Sequence, residues 1–224
     1  KDSWQYMQEM LPLVQDLWQG DVTHEGWFWQ FPSATSCPKP LQQTVPMWVA
    51  ARSPITFDYA VANDCNIMSW PLTLPFSEAV KYRTQLDEAI AKNGGTYAGR
   101  FAMMRHTSVY ETASDRQSAL DATRGVLSQF GNLIMKSGEV RNGFPDPVPL
   151  ESLDGNFRVE PKMLEDNLMF GSPSQVIDKL GKYQEIGVDA FIYYASMGLG
   201  MEQQRRSLQL FIENVMPAFN NRKS

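Results

Sequence analysis

A chain of 224 residues, 43% hydrophobic and 20% charged, holds enough apolar material for a packed core, which excludes a disordered tract. Its formal charge of -5 comes without any cluster of Lys and Arg, which argues against a nucleic-acid partner, because such a cluster is what releases counterions from a phosphate backbone. Cys37 and Cys65 make neither a CxxC pair nor a disulfide framework, no apolar run approaches the roughly 20 residues of a membrane span, and the first residues, KDSWQYMQEM, lack a signal-peptide core, so a cytoplasmic protein with no membrane contact is expected.

Trp4, Met7, Leu11, Val14, Leu17 and Trp18 recur at helical spacing, and Pro12, which cannot donate a helical hydrogen bond, predicts a break within that first helix. Residues 22–31, VTHEGWFWQF, predict a hairpin turning at Glu25-Gly26 with aromatic residues on the returning strand. A proline-rich loop leads to Pro46. From there strand and helix alternate. MWVAA (47–51) is an unalternating apolar strand, and Ser53-Pro54 opens a helix to about Asn63. NIMSW (66–70) is a second strand, followed by a helix from Ser77 that stops at Gly94-Gly95. RFAMMRHTSVY (100–110) is a third, with Ser114 and Gln117 as a capping box for a helix reaching about Lys136.

Residues 138–166, with Asn142-Gly143, Pro145, Pro147, Pro149 and Asp154-Gly155, predict an irregular excursion inside a single domain spanning 1–224. Ser172-Pro173-Ser174-Gln175 then starts a helix to Gly187, AFIYYA (190–195) is a fourth strand, and 201–216 a last helix. Strands apolar on consecutive residues, each followed by a helix, imply a parallel sheet buried on both faces. Four such units are half of an eight-stranded (β/α)8 barrel of the TIM type, whose usual length is about 250 residues.

Three stretches carry a resemblance. VTHEGWFWQFP is similar to the hairpin after the fourth helix of the bacterial luciferase-like flavin monooxygenase barrel. PMWVAARSPITFDYAVANDCNIMSW resembles that family's fifth strand, flavin-contacting turn, fifth helix and sixth strand. FGSPSQVIDKLGKYQEIGVDAFIYYASMGLG with SLQLFIENVMPAF looks like its final helix, strand and helix. The resemblance implies the C-terminal four βα units of a luciferase-like barrel, with strands one to four and the family's histidine outside this sequence. A fragment, or a natural half that needs a partner, is expected.

It also implies a flavin-dependent monooxygenase in which reduced FMN from a separate reductase, together with oxygen, oxidises a small organic substrate. The deazaflavin F420 is the alternative cofactor, and a non-catalytic flavin-binding or supporting subunit the alternative role. A homo- or hetero-oligomer, or the remaining half of the same protein, would complete the fold. The family turn puts the flavin phosphate or ribityl chain close to Val49, Ala50, Ala51, Arg52 and Ser53, with Thr56 standing in for the hydroxyl that Ile55 lacks. An N-cap serine and N1 proline do present free N–H groups and a positive dipole end to an anion, though an ordinary helix cap has the same sequence.

Ser69 and Trp70 match the family's pair beside the flavin pocket, where an indole plane packs against a ring or substrate. Core packing is the plain alternative for Trp70. Ser172 is read as a structural cap, His24 as a turn hydrogen-bond former, and His106, where luciferase has an apolar residue, is assigned no catalytic role. Tyr193, Tyr194 and the glycines of SMGLG line either the pocket mouth or the core. The catalytic residues stay unassigned, and no His, Cys or carboxylate cluster has metal-ligand spacing.

Overall fold

The computed structural model describes every residue except Lys1, 136–138, 147–148, 157–158, 196–197 and 220–224. The chain separates into two compact units, 1–46 and 47–224.

The first unit holds helix α1 (Asp2–Gln19) and the antiparallel strands β1 (Val22–Glu25) and β2 (Gln30–Ala34). Contrary to the predicted break, α1 runs through Pro12: proline's fixed φ is itself helical, and it removes only one hydrogen bond. The hairpin also differs from its prediction. Glu25 pairs with Gln30, so the turn is Gly26–Trp29, closed by Gly26 N–H donating to Trp29 O at 2.9 Å, and Trp27, Phe28 and Trp29 sit in the turn. The cause is non-local. The Glu9 carboxylate of α1 accepts from the N–H groups of Trp27, Phe28 and Trp29 at 3.1, 3.0 and 3.0 Å, and these converging donors wrap the loop around an anion.

In the second unit the chain runs β3 (Trp48–Ala50), α2 (Pro54–Ala62), β4 (Asn66–Ser69), α3 (Phe76–Lys92), β5 (Phe101–Val109) and α4 (Ala113–Met135). An irregular stretch follows, holding the two-residue strands β6 (Val140–Arg141) and β7 (Phe144–Pro145) and a tight turn of helix at Leu150–Leu153. Then come α5 (Pro161–Asn167), β8 (Met169–Gly171), α6 (Pro173–Glu185), β9 (Ala190–Ala195) and α7 (Met201–Leu210). The predicted end of α4 at Lys136, and parts of the predicted excursion at 138, 147–148 and 157–158, lie outside the described residues. The last helix is regular only to Leu210, continuing as a wide turn over Phe211–Val215 and a tight one over Met216–Phe219.

All four predicted strands are present, parallel, and each is followed by a helix. β5 is the hub. Its residues 102–107 pair with β9, and Thr107 also pairs with Met169 of β8. One strand has two edges, so β8 lies on the edge opposite β9, beyond the point where β4 pairs with 101–103. β3, β8 and β9 each have one neighbour among the described strands, so among these strands β3 and β9, like the short β8, present open edges.

The helices begin where local chemistry stops the backbone from continuing as strand. Ser172 caps α6 as expected, accepting from Gln175 N–H at 3.4 Å while Gln175 Oε1 accepts from Ser172 N–H at 2.8 Å. α4 is capped instead by Thr112, whose hydroxyl accepts from Asp115 N–H at 3.1 Å and bonds the Asp115 carboxylate at 2.8 Å; Ser114 lies one turn position too late. Val49, Ala51, Ile67, Phe101, Met103 and Val109 pack with Phe57, Leu86 and Val176 of the helices in the main core. By alternation, the opposite face carries Ala50, Met68, Ala102, Met104, His106, Ile192 and Tyr194. Neither core cluster of the described residues includes any of these seven, although at the C-terminal end Phe170, paired with Ser108, packs with Leu120 of α4 and Leu164 of α5; the seven make up the helix-free face.

Candidate functional site

The C-terminal ends of parallel strands are where an α/β sheet binds ligands, because loops and helix N-termini converge there. At the end of β3 the turn Ala51–Pro54 reaches α2. Of the predicted cofactor residues, Val49 and Ala51 are buried on the helix-packed face at 9% and 0% exposure, while Ala50, Arg52 and Ser53 are exposed. Thr56 is turned back into the turn. Its hydroxyl accepts from the N–H groups of Arg52 and Ser53 at 3.3 and 3.2 Å and donates to Ser53 O at 2.8 Å. Thr56 N–H and Phe57 N–H both go to Ser53 O, and Ala51 O accepts from Ser69. This leaves Ile55 N–H, at the second helical position, without an intrahelical acceptor.

The turn therefore presents one helix N–H without an intrahelical acceptor, at Ile55, beside the exposed Arg52, and two longer N–H contacts held by Thr56. Arg52 also lies near α3: burial raises the Tyr82 phenol, and the Arg52 charge works against that rise.

Of the predicted pocket pair, Ser69 is 1% exposed and its hydroxyl donates to Ala51 O at 2.7 Å, tying β4 to β3 and lining no face. Trp70 does reach the helix-free face. Its indole meets the His106 ring at 5.5 Å and the Tyr194 ring at 5.5 Å, both edge to face, and His106 stacks on Tyr194 at 4.6 Å. The pairing of His106 with Tyr194 across β5 and β9 brings these rings together. Trp70 Nε1 and His106 Nδ1 are buried and meet no protein partner. His106 is 1% exposed; burial, with the neighbouring Arg105 charge, pulls its pKa down to about 4, so the imidazole is neutral at physiological pH.

The loop carrying Trp70 onward is held from beneath by Arg105, which is fully buried. Its guanidinium donates to Leu72 O and Leu74 O at 3.1 and 2.8 Å and to the Tyr183 hydroxyl at 2.8 Å. Tyr193 belongs to the core, its hydroxyl 2.8 Å from Ser207 Oγ and its ring packed on Phe211. Ser172 is a cap. His24 sits 3.0 Å from Glu9 beside the hairpin turn. Ser196 and Met197 of the SMGLG stretch lie outside the described residues. Sequence reasoning offered Tyr194 for the pocket mouth or the core and gave His106 no role; the signal available for His106 was parity, since it falls on the even positions of β5, opposite Phe101, Met103 and Val109.

The luciferase-like monooxygenase family model matches residues 1–190. The chain belongs to that family. A curated relative, the oxygenase component of a flavin-dependent trigonelline monooxygenase from Acinetobacter baylyi, is 34% identical over 226 residues covering 99% of this chain and 63% of its own length. Among solved structures, monooxygenase RslO1 from Streptomyces bottropensis matches with a TM-score of 0.67 at 21% identity, over 95% of this chain and 60% of that one. The coenzyme F420 dependent tetrahydromethanopterin reductase from Methanopyrus kandleri matches with a TM-score of 0.67 at 17% identity, over 96% and 63%. The chain therefore spans somewhat less than two thirds of the length of each of these three proteins. Among the described residues no helix is long and apolar enough to cross a membrane.

Proposed function

We propose that this chain forms the C-terminal four βα units of a luciferase-like (β/α)8 barrel, one domain in the complete protein, and contributes the flavin site of an oxygenase component. That oxygenase uses reduced FMN from a separate reductase, and oxygen, to oxidise a small organic substrate. The observation that carries the reading is the helix-free sheet face, whose C-terminal edge presents together an exposed helix start beside Arg52 and the Trp70–His106–Tyr194 rings with two stranded nitrogens. Those features fit a planar, phosphate-bearing cofactor: Arg52 and Ile55 N–H at the phosphate or ribityl end, Ala50 offering close backbone approach, and Trp70 bounding the ring.

When bound, reduced flavin would supply the electrons that activate oxygen. The chain's own contribution is to orient the ring and, through the apolar rows of Met68, Met104 and Ile192, to exclude water from it. The 34% identity to a flavin-dependent enzyme supports FMN over F420, since the sequence likeness to an F420-dependent glucose-6-phosphate dehydrogenase from Rhodococcus hoagii is lower, at 23%. The open edges at β3 and β9 call for the remaining barrel strands or a partner subunit to cover them.

Isothermal titration of the full-length protein with FMN tests this. Arg52→Ala is expected to weaken binding about tenfold, the equivalent of roughly 1.4 kcal/mol. Unchanged affinity removes Arg52 from the site. Binding of F420 but not FMN moves the protein to the deazaflavin class, and binding of neither makes it a supporting subunit.

A further inference from the structure

A residue that serves only to fill an aromatic cluster gains nothing from a ring nitrogen. His106 is 1% exposed and its Nδ1 meets no partner, and a Phe in its place would stack on Tyr194 equally well without stranding a polar atom. The neighbouring Trp70 leaves Nε1–H stranded as well, 5.5 Å away ring to ring. Two unsatisfied nitrogens on adjacent rings of one face, beside the apolar Met68, Met104 and Ile192, form a pattern that a ligand completes and a core does not need.

We propose that Trp70 Nε1 and His106 Nδ1 form the polar edge of the ligand site and hydrogen-bond the carbonyl-bearing edge of a planar heteroaromatic ligand lying against the helix-free face. This inference rests on the flavin reading above. The chemistry constrains the ligand. Trp donates only, so the ligand must offer an acceptor beside the indole. The neutral imidazole carries one N–H and one lone pair, so next to that acceptor the ligand can present either a second acceptor or a donor. A lactam, imide or amide edge on a conjugated ring meets both demands; an alkane meets neither. The same edge chemistry occurs on the flavin ring and on a heteroaromatic amide substrate, so the ligand is identified by which of the two reaches His106.

The test uses full-length protein with 15N-labelled histidine, titrated separately with oxidised FMN and with nicotinamide in the presence of FMN, following the His106 ring nitrogens by NMR. The expected result is a shift of Nδ1 on adding one of the two: movement with FMN assigns the edge to the flavin ring, and movement only with nicotinamide assigns it to the organic substrate. For whichever ligand moves it, His106→Phe and Trp70→Phe should each weaken binding about fivefold to tenfold. His106→Asn, which keeps a polar atom at the Nδ1 position, should recover most of that loss. His106→Phe should unfold at the same temperature as wild type or higher, because it removes a stranded nitrogen. FMN binding with neither ligand moving His106 overturns the proposal while leaving the flavin reading intact. So does a His106→Phe protein that loses stability but binds as wild type. A wild-type protein that binds neither ligand overturns both readings together.

Discussion

Replacing Arg105 by Met keeps an unbranched stem but removes the guanidinium that bonds Tyr183 and the carbonyls of Leu72 and Leu74 at 2.8 to 3.1 Å. Each charge-assisted bond contributes roughly 1.5 to 3 kcal/mol in such a setting, while removing a buried charge returns several kcal/mol of desolvation. The carbonyls and the Tyr183 hydroxyl are then left in a protein interior, and the net cost comes to about 3 kcal/mol, near the low end for breaking a buried polar set. For a protein of this size that lowers the unfolding temperature by roughly 6 to 12 °C. Thermal unfolding followed by circular dichroism measures it. Because Arg105 pins the loop immediately after Trp70, tryptophan emission, read against Trp70→Phe as control, should also shift to the red. A variant that melts within about 2 °C of wild type with unchanged emission would refute the assignment of Arg105 as the loop's anchor.

Thr56→Val removes the hydroxyl that accepts from Arg52 and Ser53 N–H. It should cost about 1 kcal/mol in urea unfolding, the usual cost of a lost cap, and a gain in stability would show that the turn is strained by it. The Glu165 carboxyl is held below the ordinary carboxylate range by the Arg116 guanidinium, bonded at 2.6 Å through both oxygens, and by Tyr110, against the opposing effect of burial. With the folded pKa below the unfolded one, this stabilisation is complete above the unfolded value near roughly 4.3 and is lost as pH falls through the folded one. Glu165→Gln should therefore be less stable than wild type at pH 7, with the gap closing below about pH 4. A gap of equal size at both ends of that range would exclude the ion pair as its source.

What could be read from the sequence was what local pattern encodes. β3, β4, β5 and β9 show as runs of consecutive apolar residues, and the Ser172 cap shows because its partner Gln175 is three residues away. β8 is three residues long, too short for any periodicity, and became visible only through its pairing with Thr107. Thr112 and Ser114 are both competent caps; the end of β5 at Val109 decides between them, and that end is set by pairing with Gly171. The hairpin turn was misplaced because Glu9, on a different element, shapes it. The same limit hid His106: its neighbours Trp70 and Tyr194 are remote in sequence, and only the strand register puts the three rings together.

The position of β5 between β4, β8 and β9 also has a consequence for the order of assembly. Ser69 and Ala51, whose bond ties β4 to β3, are 18 residues apart, whereas Asp189, which receives the Phe101 N–H at the foot of β9, is 88 residues further along the chain. Closing the longer loop costs about 1.4 kcal/mol more chain entropy than closing the shorter. A nascent polypeptide can therefore zip β3 to β4 early, while the far edge of β5 waits for sequence up to residue 195 to leave the ribosome. Until then the row that will bear His106 has no neighbour along that edge, which makes this strand the segment a chaperone holding the growing chain would be expected to cover.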